Sequence, residues 1–323
     1  MKIGSYEFDI KRARSELEKT GAEKILLQLP DGLRHKAEKF REQFEQDVSI
    51  WGGSCYGACD LPSDIGDNDA LLHVGHSEIP NLDVDYDIIY LPGKSVRFEG
   101  SPEELFEKLE GKVALYAPVQ HLYQFEKMAD RISRKGHETV IGEGDNRMKH
   151  PGQVLGCNYT AVEKDADTHL YIGTGRFHPI GLSFALDEDV VMYNPSTKKV
   201  DVIGKEERET LLRKRFAAIS LCREASTVGI IVSRKIGQER MKTAEQLQKM
   251  GKESGKDMVM IELEEIDKRA IDDLNLDCVV NTACPRIVLD DADSFDTVLL
   301  TPEEFKIAME KKDWEDWEMD QIN

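Results

Sequence analysis

Basic charge is what this sequence is short of. Against 62 Asp and Glu stand only 43 Lys and Arg, a formal net charge of −19. So acidic a chain repels phosphate backbones, which argues against a nucleic-acid partner. Long hydrophobic runs are missing too. No stretch approaches the roughly 20 apolar residues of a membrane helix, so no membrane partner is expected. The opening MKIGSYEFDIKRARSELEK has none of the apolar core of a secretory leader, and the expected location is the cytoplasm. In a reducing compartment the six cysteines are expected as thiols, metal ligands or catalytic groups rather than disulfides. Cys-x-x-Cys pairs, the usual unit of a structural zinc site, do not occur at all.

What the chain does have is enough apolar content, 40%, to build packed cores, with no case for wholesale disorder. Its 323 residues exceed one ordinary core, and division by about 150 residues per domain suggests about two domains. Short apolar runs bounded by turn residues predict strands at Lys24–Leu29, Ala70–Val74, Asp87–Leu91, Val113–Ala117, His137–Ile141, His169–Ile172, Val190–Tyr193, Thr227–Val232, Asp257–Ile261, Asp277–Asn281 and Thr297–Leu300. Helical patterns fall between them, at Glu38–Glu45, Tyr123–Arg134 and Met241–Lys249. Alternation of this kind predicts α/β architecture with mostly parallel sheets flanked by helices.

The order also repeats. A charged amphipathic helix runs into an apolar strand three times, in KRARSELEKTGAEKILLQLP, PEELFEKLEGKVALYAPVQ and LLRKRFAAISLCREASTVGIIVS. The starts are roughly a hundred residues apart, the size of a small domain rather than of a solenoid repeat. Three similar α/β domains are therefore expected, at 1–100, 101–205 and 206–323; one open sheet with many crossovers is the alternative. The acidic tail KKDWEDWEMDQIN reads either as a frayed end or as a clasp on another domain or subunit, and its Lys311–Asp320 run reads as a solvated face.

The densest chemical signal is GGSCYGACDLP, which holds Cys55 and Cys59 in a glycine-rich loop after a strand. Cys157 in VLGCNYT and Cys284 in NTACPR sit at similar strand-to-loop junctions, one in each remaining third of the chain. In open α/β sheets such loops, beyond the carboxyl ends of the strands, are where ligands bind. Three domains around a common centre could bring Cys59, Cys157 and Cys284 together. Cys222 and Cys278 lie in helical and strand patterns and read as core residues; the role of Cys55 stays open. Three distant thiolates could hold zinc, or a 4Fe–4S cluster whose fourth iron is left free for a substrate.

YGACD around Cys59, LGC around Cys157 and CPR around Cys284 appear in that order, one per third of the chain, with LPDGLR after the first strand and GTGRFHPIGL in the middle. In this the chain resembles, along essentially its whole length, the archaeal diphthamide synthase radical enzymes, which are 2-(3-amino-3-carboxypropyl)histidine synthases. The resemblance implies three similar domains around a central 4Fe–4S cluster held by Cys59, Cys157 and Cys284, in a homodimer. It implies that S-adenosylmethionine binds the open iron and that an electron, from a donor the sequence does not identify, cleaves its bond from sulfur to the methionine γ-carbon. Methylthioadenosine leaves, and a 3-amino-3-carboxypropyl radical adds to C2 of a histidine on translation elongation factor 2.

The polar residues around such a cofactor are read from position. Asp31, Gln120 and Gln238 occupy equivalent loops after the first strand of each repeat, while Arg176, His178 and Arg286 could hold a carboxylate. Each also has an ordinary reading as a cap, a surface ion pair or a group that satisfies backbone. His73 and His169, in apolar strands, read as structural; His76, at a strand end, has no partner that the sequence names. Two other functions stay open: a zinc-stabilised three-domain binding protein, and an inactive partner subunit, against which the retention of all three cysteines speaks.

Overall fold

The computed structural model describes residues 1–96 and 100–322. By contact the chain divides into two compact units, one of Met1–Val154, Thr160–Gly175 and Val191–Val202, the other of Leu155–Tyr159, Arg176–Val190 and Ile203–Asn323.

The first unit is built on two sheets. In one, the strand Lys24–Gln28 runs parallel between Asp47–Ile50 and Ala70–Gly75, with Asp87–Pro92 beyond. Its KILLQ has no alternation because both faces are covered: Ile25, Leu26, Leu27 and Gln28 are all buried. Helix Ile10–Thr20 lays Ile10, Ala13 and Leu17 on this sheet at helical spacing; Asp9 caps its start and Gly21, at φ 71°, ends it. In the other sheet, Lys112–Tyr116 lies parallel between Glu138–Val140 and Thr168–Ile172, followed by Val190–Asn194 and Lys199–Ile203. A small antiparallel sheet joins Lys2–Ile3, Tyr6–Glu7 and Lys94–Ser95.

The second unit carries the third large sheet. Thr227–Ser233 lies parallel between Asp257–Leu263 and Cys278–Asn281, with Val298–Leu300 outside. The 20-residue helix Lys205–Glu224 and helix Pro302–Ala308 cover it, and Cys222 and Cys278 fill its core as expected.

All three large sheets therefore share the strand order second, first, third, fourth, to which the sheet of Lys112–Tyr116 adds a fifth strand. One carboxylate repeats with it. Just before the third strand, Asp69, Asp167 and Asp277 each accept from backbone N–H groups at the start of the first strand, those of Glu23 and Lys24, of Lys112, and of Ser226 and Thr227, at 2.7–2.9 Å. In this order the first and third strands are neighbours whose connections leave in opposite directions. The loops at their carboxyl ends flank the crevice where doubly wound sheets bind ligands.

Three expectations change. The helix of PEELFEKLEG is a single turn, Glu103–Phe106, and that of Glu38–Glu45 contracts to Ala37–Arg41. Over Lys311–Asp320 the charged Lys311, Asp313, Glu315, Asp316 and Glu318 are exposed as expected, but the run is not solvated throughout, since Met319 and Asp320 are buried and Trp314 and Trp317 pack on the third core.

Candidate functional site

In the first unit the cysteine loop is tied to the sheet by one buried amide. Gln28, at the carboxyl end of the first strand, donates from Nε2 to the carbonyls of Ser54 (3.0 Å) and Asp60 (2.7 Å), and so clamps both ends of the segment that carries Cys55 and Cys59. Two carbonyls at one end of the amide fix its orientation, and Oε1 must accept from His73 Nδ1 at 2.7 Å. His73 Nε2 is then the bare nitrogen, and the 3.0 Å contact to His76 requires Nδ1–H of His76 to donate. Both rings are held neutral: burial pushes His73 well below the usual histidine range and His76 down to about 4, against a smaller opposing effect of Asp60 on His76. Inside the loop, Tyr56 N donates to Asp60 Oδ2 at 2.9 Å, and Trp51 Nε1 donates to Ser54 O at 3.2 Å. A Cβ on Gly53 would stand 2.7 Å from the Trp51 indole, so the loop needs glycine there.

The two cysteines of this loop differ. Cys55 is buried, and burial, with Asp60 next in effect, pushes its thiol far up. Cys59 is partly exposed. Cys55 Sγ and the ring nitrogens of His73 and His76 lie within 4.8 Å of one another, a donor group of the kind that can take a transition-metal ion. Asp31 begins the helical turn Asp31–Arg34 and pairs with Arg34 at 3.0 Å, while the Arg34 guanidinium donates to Gly53 O. Gln120 Nε2 donates at 3.0 Å to the carbonyl of Gly75, whose φ of +99° and contact with Pro30 require glycine. The structure thus brings the loops of Asp31, Cys59, His76 and Gln120 together.

In the second unit Cys157 and Cys284 occupy adjacent loops. The backbones of Leu155 and Asn158 bond to each other around Cys157. A Cβ on the intervening Gly156 would stand 2.8 Å from Arg286, so these loops meet closely. Asn281 shapes the second loop, donating to Cys284 O at 2.8 Å and accepting from Ala283 N. Arg286 spans Asp290 with two nitrogens and lies over the Phe177 ring at 4.6 Å. His178, in the first turn of helix Phe177–Leu186, is pushed down to about 4 by burial and by the charge of Arg286. Arg176 pairs with Glu207 at 2.9 Å, and Gln238 is buried at the end of the 3₁₀ turn after the first strand. His169 is buried beside Tyr116 Oη, as its strand setting implied.

Some of these groups escaped the sequence reading. Gln28 leaves a faint trace, a polar residue inside an apolar strand. Arg240 leaves none, because its partners come from distant segments: it donates to the carbonyls of Thr282 and Ala283 and pairs with Asp320.

Cys59, Cys157 and Cys284 stand on loops beyond the carboxyl ends of strands. Soft donors on such loops suit an iron–sulfur cluster, and the close approach at Gly156 sets two of them on neighbouring segments. Fold and site define a class: an α/β protein of repeated parallel sheets that presents thiols where such sheets bind ligands.

A family model described as diphthamide synthesis protein matches residues 29–318, and the chain belongs to that family. It is 35% identical to the 2-(3-amino-3-carboxypropyl)histidine synthase of Pyrococcus horikoshii, over 95% of this chain and 91% of that protein. It is 28% identical to the synthase of the same name from Methanocaldococcus jannaschii, over 88% of this chain and 84% of that one. The crystal structure of Dph2 from Pyrococcus horikoshii with a 4Fe–4S cluster matches with a TM-score of 0.87 at 33% identity, covering 98% of this chain and 94% of that one.

Proposed function

We propose that this chain catalyses the first step of diphthamide formation, transferring the 3-amino-3-carboxypropyl group of S-adenosylmethionine to C2 of a histidine on translation elongation factor 2. The observation that carries this reading is the set of thiols at the strand ends, in a chain matching a cluster-bearing structure over nearly its whole length. Cys59, Cys157 and Cys284 would hold the 4Fe–4S cluster, which supplies the electron that breaks the bond from sulfur to the γ-carbon.

The protein's own part is placement, deciding which carbon of the co-substrate meets the reductant. Asp31, Gln120, Arg176, His178, Gln238 and Arg286 are proposed to face S-adenosylmethionine. Arg286 suits its carboxylate, since a guanidinium matches that group with two parallel bonds. Neutral His178 would add a hydrogen bond without a competing charge. Gln120 spends Nε2 on Gly75, which leaves Oε1 to accept. The protein is proposed to act in the cytoplasm as a homodimer, reduced by a separate electron donor, in three repeat domains at 1–100, 101–205 and 206–323.

Anaerobic purification followed by iron and sulfide analysis and electron paramagnetic resonance of the reduced protein tests the cluster. With S-adenosylmethionine and reductant, methylthioadenosine is the expected product; 5′-deoxyadenosine alone from an intact cluster overturns the proposed cleavage. Cys59→Ala, Cys157→Ala and Cys284→Ala should each lose the cluster, while Cys222→Ala should keep it. The group of Cys55, His73 and His76 favours a second reading, a zinc-stabilised binding protein. Zinc at one per chain without iron would select it.

A further inference from the structure

We propose that residues 318–322 are a clasp that sets the Cys157 and Cys284 loops against each other, with Arg240 and Asp320 as its positioning residues. This rests on the reading of both cysteines as cluster ligands. Three consecutive tail residues engage the two loops. Asp320 accepts from Arg240 with both oxygens, at 2.9 and 2.6 Å, and is 4% exposed. The same guanidinium donates to the carbonyls of Thr282 (2.5 Å) and Ala283 (3.3 Å), the two residues before Cys284. Gln321 Oε1 accepts from Tyr159 N at 2.8 Å. Ile322 N donates to the carbonyl of Cys157 itself at 2.8 Å, and Ile322 O accepts from Asn158 Nδ2 at 3.2 Å. The Cys157 loop thus bonds the strap directly, and the Cys284 loop is tied to the same strap through Arg240.

Physical chemistry favours a fixed geometry here. A bidentate Arg–carboxylate pair is directional, and at this burial, removing one partner leaves the other charge uncompensated. Buried Met319 and Ile322 anchor the strap on either side of the pair. Groups that orient ligands from behind commonly change metal affinity 10- to 100-fold when removed.

The test uses the full chain with Asp320→Asn, Arg240→Lys and Asp320→Glu, and Phe305→Leu as a control that loosens the same core away from the loops. In iron-free protein, alkylation by iodoacetamide is followed cysteine by cysteine, with Cys59 as internal reference. Asp320→Asn and Arg240→Lys should accelerate Cys157 and Cys284 selectively relative to Cys59, Asp320→Glu should recover part of the protection, and Phe305→Leu should show no such selectivity. In anaerobically reconstituted protein, the first two variants should lose iron to a chelator faster and alter the paramagnetic signature of the reduced protein. Wild-type alkylation rates in both variants overturn the clasp, as does the same selectivity from Phe305→Leu. Should no variant nor the parent hold iron while the alkylation pattern persists, the clasp stands and the functional reading falls.

Discussion

At the scale of single residues, the first unit depends on where one amide points. Gln28 is fully buried, and three groups rely on it: the carbonyls of Ser54 and Asp60, and Nδ1–H of His73. Replacing it with Leu removes both donated bonds to the loop and takes the acceptor from His73 Nδ1–H, and a buried group left without its partner costs about 1–3 kcal/mol. Gln28→Leu should therefore lower the free energy of unfolding by about 1–3 kcal/mol in a denaturant titration. Gln28→Glu should not rescue it, because a carboxylate offers acceptors where two carbonyls demand donors. A loss below about 1 kcal/mol for Gln28→Leu would show that the loop holds its shape without the amide. The sequence signals the loop through its glycines and the Cys-x-x-x-Cys spacing, but not which cysteine is reachable. That difference comes from burial, a property of the folded loop: Cys55 is 4% exposed, and Cys59 remains partly open.

At the scale of elements, the third sheet and its helices are held by a buried ion pair that no local pattern announces. Arg215, on helix Lys205–Glu224, donates from Nε and Nη2 to the two oxygens of Glu304, both at 2.8 Å, and from its Nη atoms to the carbonyls of Val288 and Leu299. Glu304 also closes a capping box with Thr301 at the start of helix Pro302–Ala308. Arg215 is 5% and Glu304 0% exposed in their side chains, so breaking the pair from one side leaves a buried charge. Glu304→Leu is expected to cost about 3–5 kcal/mol, read as a fall in the midpoint of chemical unfolding; a loss within the surface range of about 0.5 kcal/mol would refute the pair's role. Every strand predicted from an apolar run is present, and the central ones, Lys24–Gln28, Ala70–Gly75 and Thr168–Ile172, are buried on both faces, which writes itself as continuous hydrophobicity. Asp47–Ile50 was missed because an edge strand with little burial has no such signature; it forms by pairing with Lys24–Gln28. The helix in PEELFEKLEG shows the opposite failure, an amphipathic pattern that persists for only one turn.

At the scale of the whole molecule, the triple recurrence of strand order and of the Asp staple explains why the repeat could be read from helix–strand starts alone. The buried histidines could not be read that way, and they give the fold a shared response to acid. His121 shows it most simply. It is buried 4% exposed, just before helix Phe125–Arg134, and loss of hydration pushes it down to about 4, opposed in part by its hydrogen bond with Gln124. Above pH 6.5, the reference value of an unfolded histidine, both states are neutral and the group does not affect the balance. As pH falls from there toward 4, the unfolded chain takes up the proton and the native protein does not, so stability falls. The slope approaches about 1.4 kcal/mol per pH unit for each such histidine. Below about 4 the native protein binds the proton too, and the loss from this group stops. Burial shifts His73, His76 and His178 in the same direction. Unfolding free energies of the iron-free protein measured from pH 7 to 4.5 should therefore fall with a slope steeper than one histidine provides. His121→Phe should flatten that slope by about one proton's worth while leaving stability at pH 7 changed by packing alone. An unchanged slope in His121→Phe would mean that His121 takes up its proton without unfolding.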